Sequence, residues 1–231
     1  MSLIPSIKGF IEASFLDWPG KIVSVLFLPN CNFRCPFCHN HRLVKDGLSL
    51  EEIPLDQILA RLSKLRGWID GVCITGGEPT LHEGLTSLIA AIRAEGFLVK
   101  LDTNGTHPEI LRYLVRDRLL DEVAMDIKSP LREHNYSVCA GVPVSVQQIE
   151  ESIDLLMGCG VAYSFRTTVV PGLLEEDDIY EIARRVKGAT RLLLQNFNPH
   201  DPLDPALKHT KPYSEESLAK MQEKVNRIIL P

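Results

Sequence analysis

The clearest pattern in the chain is a series of short apolar runs separated by stretches with a helical hydrophobic period. Residues 22–28 are continuously apolar apart from one serine and rich in β-branched side chains, which is typical of a parallel strand buried on both faces. Similar runs follow at 71–75, 98–101, 122–125, 163–170 and 191–195. The pattern therefore predicts six strands.

Between these runs, apolar residues recur at the three- and four-residue spacing of amphipathic helices. Residues 85–92 show this spacing clearly, and Gly96 follows as a helix stop. Other helices are predicted near 58–65, 108–116, 149–157, 175–187 and 214–229. The acidic run 175–178 is expected to favour a helix N-terminus through the helix dipole.

Strands that alternate with helices predict an α/β fold with a parallel sheet. Six units are fewer than the eight that close a TIM barrel, and the pattern alone does not separate an open doubly wound sheet from a partial barrel. We expect one domain over residues 1–231, with a core at about 20–200. The segment 1–20 and a loop plus helix at 199–231 would flank it, and the proline-rich stretch 199–212 is expected to cover one edge.

Composition narrows the choice of partners and compartment. The net charge of −5 gives no electrostatic reason to expect nucleic acid. No apolar run approaches the roughly 20 residues that a membrane span needs, and the first residues lack a charged-then-apolar secretion signal. We expect a cytoplasmic protein that binds neither nucleic acid nor a membrane.

The main candidate for chemistry is a loop with three closely spaced cysteines, Cys31, Cys35 and Cys38. The loop is too tight for a sensible disulfide, and the spacing lets three thiolates converge on one metal centre. A zinc site would need a fourth ligand such as His39 or His41. An iron–sulfur cube held by three thiolates would leave one iron open. The loop follows the first strand, so it would lie at the end where α/β folds place active sites.

The other three cysteines are scattered along the chain. Cys73 lies in an apolar strand and is interpreted as a small buried hydrophobe. Cys139 and Cys159 lie near expected loops and are interpreted as inert thiols. The chain is therefore not a disulfide scaffold.

A second motif, Gly76-Gly77-Glu78-Pro79, follows the second strand. Two glycines permit a close backbone approach to a ligand, and the carboxylate of Glu78 could accept a hydrogen bond from an ammonium group. The alternative interpretation is an ordinary turn between a strand and a helix.

The spacing C-x-x-x-C-x-aromatic-C, with Phe37 in the aromatic position, together with Gly-Gly-Glu resembles the radical S-adenosylmethionine (radical SAM) superfamily. The resemblance implies a [4Fe–4S] cluster on Cys31, Cys35 and Cys38, and S-adenosylmethionine bound through its methionine part to the open iron. It implies that residues 76–78 bind the amino group of that methionine. It also implies a splayed partial (β/α)6 TIM-like barrel with the cofactor at the strand C-termini.

The order of further motifs resembles the activating enzymes of glycyl radical enzymes. These motifs, within a likeness that covers about residues 10–200, are 17–20 (Asp-Trp-Pro-Gly), 38–40, 102–105, 126–128, and Arg166 with 169–172. Trp18 departs from the D-G-P-G of the pyruvate formate-lyase activators. Together with the compact length and the segments 203–205 and 212–214, this departure makes the chain more similar to the branch that activates anaerobic ribonucleoside-triphosphate reductase.

The resemblance implies a role for each matching residue. Those expected to contact the cofactor are Phe37, Gly76, Gly77, Glu78, Asp102 and Asn104. Lys128, Arg166 and His200 would lie near the cofactor or a bound peptide. Those expected to hold the partner's glycine loop are Asp17, Trp18, Pro19 and Gly20. As alternatives, Asp102 and Asp126 could cap helices, and Lys128 and Arg166 could form structural ion pairs. The histidines expected to be solvated are His82, His107, His134 and His209.

The resemblance implies an activating enzyme that cleaves S-adenosylmethionine and forms a glycyl radical on anaerobic ribonucleoside-triphosphate reductase. A one-electron donor such as flavodoxin or ferredoxin would reduce the cluster. The alternatives are an activator of pyruvate formate-lyase or another glycyl radical enzyme, and a small-molecule radical SAM enzyme such as 7-carboxy-7-deazaguanine synthase. A non-enzymatic alternative is an iron–sulfur electron carrier or a zinc module.

Overall fold

The computed structural model describes residues 4–47 and 49–230. Within them the strands are β1 (Gly9–Ser14), β2 (Val23–Leu28), β3 (Gly71–Gly76), β4 (Leu98–Thr103), β5 (Glu122–Asp126), β6 (Ala162–Val169) and β7 (Leu192–Asn196). The helices are α1 (His41–Lys45), α2 (Leu55–Lys64), α3 (Leu85–Ala94), α4 (Pro108–Arg116), α5 (Glu133–Ala140), α6 (Val146–Gly158), α7 (Glu176–Arg185) and α8 (Glu215–Ile229). Short 3₁₀ turns occur at Pro79–Leu81 and Pro205–His209. Across these two described ranges, no helix is both long and apolar enough to span a membrane.

The strands form one sheet in sequential order from β1 to β7. Strands β2 to β7 are parallel, and β1 pairs antiparallel with β2. A doubly wound sheet reverses its strand order at a switch point, and this sheet does not. The fold is therefore an α/β partial barrel of six parallel strands, as expected, with β1 and β7 at its two open edges.

The two faces of the strands differ sharply in polarity. Val72 and Ile74 on β3 and Val99 and Leu101 on β4 are fully buried in the apolar layer under the helices. Because side chains alternate along a strand, the residues between them face the barrel interior. That interior holds charged side chains on β4 to β6 and a small apolar cluster of Trp18, Val23, Val25 and Cys73, in contrast to the apolar layers that fill a closed TIM barrel. The interior of this barrel is thus suited to a polar ligand.

Three elements were not predicted from the sequence. β1 is an edge strand whose middle residues are exposed, so it shows no apolar alternation. α1 has only five residues. α5 reads Glu-His-Asn-Tyr-Ser-Val-Cys-Ala and lacks an apolar stripe, although Tyr136 and Cys139 are buried. Cys139 lies next to a loop, as expected, at the end of α5, and the buried position expected for Cys73 is confirmed.

Candidate active site

The cysteine loop follows β2 and is fixed to the turn after β3. The backbone N–H of Gly77 donates to the carbonyl of Leu28 at 2.8 Å, and that of Glu78 donates to Asn30 at 2.8 Å. A Cβ at Gly77 would lie 1.7 Å from the carbonyl oxygen of Asn30, and Gly76 has φ of +117°. The two glycines are therefore required for close contact with the root of the cysteine loop.

Two other segments pack against the same loop. The backbone N–H of Arg34 donates to Ala140 at the end of α5, at 2.7 Å. The N–H of Asp204 donates to the carbonyl of Pro36 at 2.8 Å, so the proline-rich stretch after β7 does cover this side of the site. These contacts fix the backbone that carries the thiols.

The three thiols line a single cavity of about 250 Å³ at the C-terminal ends of the strands. Burial raises the pKa of Cys31 to about 11 and that of Cys35 to about 12, and the charge of neighbouring cysteines adds to each increase. Burial likewise raises the pKa of Cys38. Bound metal favours the thiolate over the thiol, so this is the environment in which metal binding would release protons.

The shared position of the three thiols suits an iron–sulfur cube. In an iron–sulfur cube, each thiolate binds a separate iron. Three thiols that share a cavity wall fit that requirement.

Glu78 connects the β3 turn to the end of β4. Its carboxylate accepts hydrogen bonds from the backbone N–H of Thr80 (3.0 Å), the hydroxyls of Thr80 (2.6 Å) and Thr103 (2.8 Å), and the N–H of Asn104 (2.7 Å). Burial raises the pKa of Glu78, and these hydrogen bonds act in the opposite direction. The residue is 1% exposed, so its carboxylate is already engaged within the protein.

Asn104 links the cysteine loop to the loop after β4. Its Nδ2 donates to Oδ1 of Asn32 at 2.8 Å, and Nδ2 of Asn32 donates to the hydroxyl of Thr106 at 2.9 Å. Nδ1 of His107 lies 3.0 Å from the hydroxyl of Thr80 and 3.1 Å from that of Thr106. His107 is therefore part of this polar layer, and the expectation that it is solvated was wrong.

Of the other histidines expected to be solvated, His82 also has a protein partner. Its Nε2 lies 2.8 Å from the carbonyl oxygen of Pro29, next to the cysteine loop. His134 and His209 are exposed, as expected.

Five charged side chains form a continuous network inside the barrel. Lys100 Nζ lies 2.5 Å from Asp102 Oδ1, and Arg166 Nη1 lies 2.9 Å from Asp102 Oδ2. Arg166 Nε also contacts Asp126 Oδ1 at 2.8 Å, and Lys128 Nζ contacts Asp126 Oδ2 at 3.0 Å. The two aspartates lie in β4 and β5 and do not cap helices. Arg166 and Lys128 form the ion pairs considered above, at positions that also line the cavity.

The network fixes the charge state of its members. Burial alone would raise the pKa of Asp126, but Arg166 and Lys128 outweigh it and hold that pKa well below its usual range. Burial would lower the pKa of Lys128 and of Arg166, and the neighbouring carboxylates reverse this. Lys128 Nζ also lies 6.0 Å from the ring centre of Phe37, which connects the network to the cysteine loop.

Residues 17–20 lie at the opposite end of the barrel from the cysteines. Ser14 pairs with Val23 at the start of β2, so the segment between them closes the N-terminal end of the interior. The indole of Trp18 is buried and donates to Glu122 at 2.7 Å, which leaves its side chain unavailable as a surface contact. Pro19 and Gly20 are exposed.

Among the residues expected to bind the cofactor, His200 is not brought to the cavity. Its backbone N–H donates to Oδ1 of Asn198 at 2.9 Å, in a turn that leaves the side chain exposed. His39, next to Cys38, lines the cavity instead. Sequence reasoning missed Lys100 and gave Asp126 no site role. Each lies two residues from a predicted site residue in or beside the same strand, and therefore on the same face.

Comparisons with known proteins agree with this geometry. The family model described as "Radical SAM superfamily" matches residues 25–186 of this chain. A Methanocaldococcus jannaschii protein provisionally named glycyl-radical enzyme activating enzyme is 35% identical over 223 residues, which cover 93% of this chain and 89% of that protein. The pyruvate formate-lyase 1-activating enzyme of Escherichia coli K12 is 32% identical over 187 residues, which cover 77% of this chain and 73% of that enzyme.

Solved structures show the same fold. Streptococcus suis SuiB bound to S-adenosylmethionine matches with a TM-score of 0.65 and 17% identity, over 89% of this chain and 48% of that chain. TYW1 with a lysine-pyruvate adduct matches with a TM-score of 0.62 and 16% identity, over 89% of this chain and 73% of that chain. The chain therefore belongs to the radical SAM superfamily and, within it, to the family of glycyl-radical enzyme activating enzymes. Enzymes of this superfamily use a [4Fe–4S] cluster and S-adenosylmethionine.

Proposed function

We propose that this enzyme forms a glycyl radical on anaerobic ribonucleoside-triphosphate reductase. The observation that carries the proposal is the convergence of the three cysteines, the turn 76–78 and the residues 102–104 on one cavity at the C-terminal ends of parallel strands. The similarity to two proteins named as activating enzymes supports the activating role and does not choose the partner.

In this proposal Cys31, Cys35 and Cys38 hold the cluster. When bound and reduced, the cluster supplies the electron that cleaves S-adenosylmethionine to methionine and a 5′-deoxyadenosyl radical, which takes a hydrogen atom from the Cα of a glycine. The protein itself contributes orientation and exclusion of water. Flavodoxin or ferredoxin would be the one-electron donor.

The cavity residues would orient the methionine part of the cofactor. Because the carboxylate of Glu78 already accepts four hydrogen bonds, its contribution would be to hold the β3 turn, which includes Gly76 and Gly77, against the end of β4. Asp102 and Asn104 lie at the end of β4, where they would face the same ligand. Lys128 and Arg166 supply positive charge to the wall, and Phe37 supplies an apolar surface.

The partner's glycine loop would enter the interior near residues 17–20. These residues close the N-terminal end of the barrel, and the backbone carbonyl of Asp17 reaches the interior through Lys100. Pro19 and Gly20 are the exposed members that can contact a partner. The departure at Trp18 favours the reductase over pyruvate formate-lyase as partner.

An activator of pyruvate formate-lyase is the second candidate, and the likeness to the Escherichia coli enzyme supports it. The two candidates differ only in the partner that receives the radical. A small-molecule reaction like that of 7-carboxy-7-deazaguanine synthase would need no protein partner. All three can be compared in one set of assays.

The test is an anaerobic electron paramagnetic resonance experiment. Reconstituted, reduced enzyme is mixed with S-adenosylmethionine and either purified reductase or purified pyruvate formate-lyase. We expect a glycyl radical doublet with the reductase, lost in Cys35→Ala and kept in the matched control Cys159→Ala, which lies outside the cavity. A doublet with pyruvate formate-lyase alone would reassign the partner. Cleavage without a doublet on either protein would rule out both partners and leave another glycyl radical enzyme or a small-molecule substrate.

A further inference from the structure

Lys100 is a buried lysine in the middle of β4. Its side chain is 2% exposed, and its neighbours Val99 and Leu101 are fully buried on the opposite face. The ammonium lies 2.5 Å from Asp102 Oδ1, 2.8 Å from the backbone carbonyl oxygen of Asp17 and 3.8 Å from Cys73 Sγ. It is therefore the direct link between residues 17–20 and the charged network of the cavity.

Burying an ammonium costs free energy that a well-packed apolar side chain would not. Burial lowers the pKa of Lys100, and Asp102 outweighs this so that the pKa is raised and the group stays charged. A core needs no such group for stability alone. Lys100 contacts the backbone carbonyl of Asp17 and the carboxylate of Asp102 on β4. These two contacts indicate that it aligns the segment around Asp17 with β4.

The segment that Lys100 contacts is anchored at its base and exposed at its tip. Ser14 donates to the carboxylate of Asp17, and Trp18 donates to Glu122. Between these anchors Phe15 and Leu16 are 72% and 90% exposed. Lys100 therefore fixes the inner end of a segment whose outer end is free to meet a partner.

We propose that Lys100 is a positioning residue that aligns the segment 15–20 with Asp102 of the cofactor cavity. This inference rests on the proposed function, which assigns the segment to the partner's glycine loop and Asp102 to the cofactor. Without the ammonium, the peptide would bind out of line with the cavity, while the cysteines keep their places and Asp102 keeps its contact with Arg166. The loss would fall more heavily on hydrogen transfer to the partner than on cofactor cleavage.

The test uses two variants of Lys100 and one matched control. Lys100→Met keeps the length without the charge, and Lys100→Arg keeps the charge. Lys8→Met is the control, because Lys8 also donates to a backbone carbonyl, that of Leu50 at 2.8 Å, from a side chain only 7% exposed and outside the cavity. Each protein is assayed with dithionite for 5′-deoxyadenosine and for glycyl radical on the reductase.

We expect Lys100→Met to keep its iron content, because Lys100 does not contact the cysteine loop, and to lose only part of its 5′-deoxyadenosine formation, because Asp102 keeps its contact with Arg166. Its glycyl radical yield per 5′-deoxyadenosine should fall on the order of 10- to 100-fold, the loss expected for a misplacement of roughly 1 Å. Lys100→Arg should recover part of that yield, and Lys8→Met should match the wild type. Equal losses of both products, or no loss of either, would overturn the proposal.

A measurement without any partner separates this inference from the proposed function. Amide hydrogen exchange of residues 14–20 should accelerate by about tenfold or more in Lys100→Met, because the segment loses an internal anchor. Exchange of residues 102–105, which other hydrogen bonds hold, should change far less. Unchanged exchange at 14–20 would refute the positioning role, whichever protein accepts the radical.

Discussion

The contact between Gly77 and Asn30 shows how a single position sets the geometry of the cysteine loop. A Cβ at Gly77 would meet a backbone carbonyl at 1.7 Å, and backbone cannot move aside as a flexible side chain can. Any side chain there must push the β3 turn away from the loop that carries the thiols. The two glycines of this motif line the cavity and also allow the β3 turn to pack against the backbone of the cysteine loop.

We predict that Gly77→Ala lowers the free energy of unfolding by about 1–3 kcal/mol or more. For a chain of this size that is a fall in Tm of about 2–4 °C for each kcal/mol. Thermal unfolding would measure the fall in Tm. The iron content after reconstitution would show whether the displaced cysteine loop still holds the cluster. Gly160→Ala is the control, since a Cβ there meets nothing within 4 Å. Equal Tm and iron content in the two variants would contradict this account.

At the residue scale, the sequence motifs predicted which side chains meet but not how they are engaged. The three cysteines, residues 76–78 and Asp102 converge as expected. Lys100 was missed because an isolated lysine in an apolar strand does not reveal that it pairs with Asp102 and with the backbone carbonyl of Asp17, which is distant in sequence. His200 was misplaced because a local turn at Asn198, set by one side-chain hydrogen bond, directs it outward.

At the element scale, the hydrophobic period located every long helix, and the acidic run at 175–178 does begin α7. The backbone N–H of Glu175 donates to Asp178 Oδ2 at 3.1 Å, and Asp178 also pairs with Arg132. Asp177 occupies the same first turn without this capping contact. A comparison of Asp177 with Asp178 therefore distinguishes the stabilisation due to the cap from the general effect of negative charge at the helix N-terminus.

We predict that Asp178→Ala lowers the free energy of unfolding by about 1–2 kcal/mol, through the lost cap and a partly exposed ion pair. Asp177→Ala should cost less, about 0.3–1 kcal/mol, because only its interaction with the helix dipole is removed. Urea unfolding of both variants measures the difference. Equal losses would mean that charge alone, and not the cap, stabilises this end of α7.

The elements missed from the sequence share one cause. β1 is defined by backbone pairing with β2, and its exposed middle residues carry no period that would reveal it. α5 is defined by what packs on it, since Tyr136 and Cys139 are buried by surrounding structure while its sequence lacks a stripe. Such elements depend on tertiary contacts, which a local pattern does not contain.

At the scale of the whole molecule, strand order was the main uncertainty from the sequence. Alternating strands and helices are compatible with an open doubly wound sheet or a barrel, and only the order β1 to β7 decides between them. The charge in the interior follows from the same topology. Lys100, Asp102, Asp126 and Arg166 come from three neighbouring strands, and curvature places them within hydrogen-bonding distance.

This buried network makes the stability of the whole fold depend on acid pH. The pKa of Asp126 is lower in the folded protein than its unfolded value of about 3.9. A carboxylate of this kind contributes its full stabilisation above the unfolded pKa and loses it as pH falls toward the folded pKa. The stability of the wild type should therefore decrease as pH falls below about 5.

We predict that Asp126→Asn lowers the free energy of unfolding at pH 7 by about 1–3 kcal/mol, because Arg166 and Lys128 lose a counter-charge whose side chain is 25% exposed. Asp154→Asn, which breaks an exposed pair with Arg185, should cost less than about 1 kcal/mol. Urea unfolding from pH 7 to pH 3 should show the gap between Asp126→Asn and the wild type narrowing, because the carboxylate gains a proton in the unfolded wild-type chain while the folded protein still holds it ionised. A gap that stays constant over this range would mean that packing around Asp126, and not its charge, holds the interior of the barrel together.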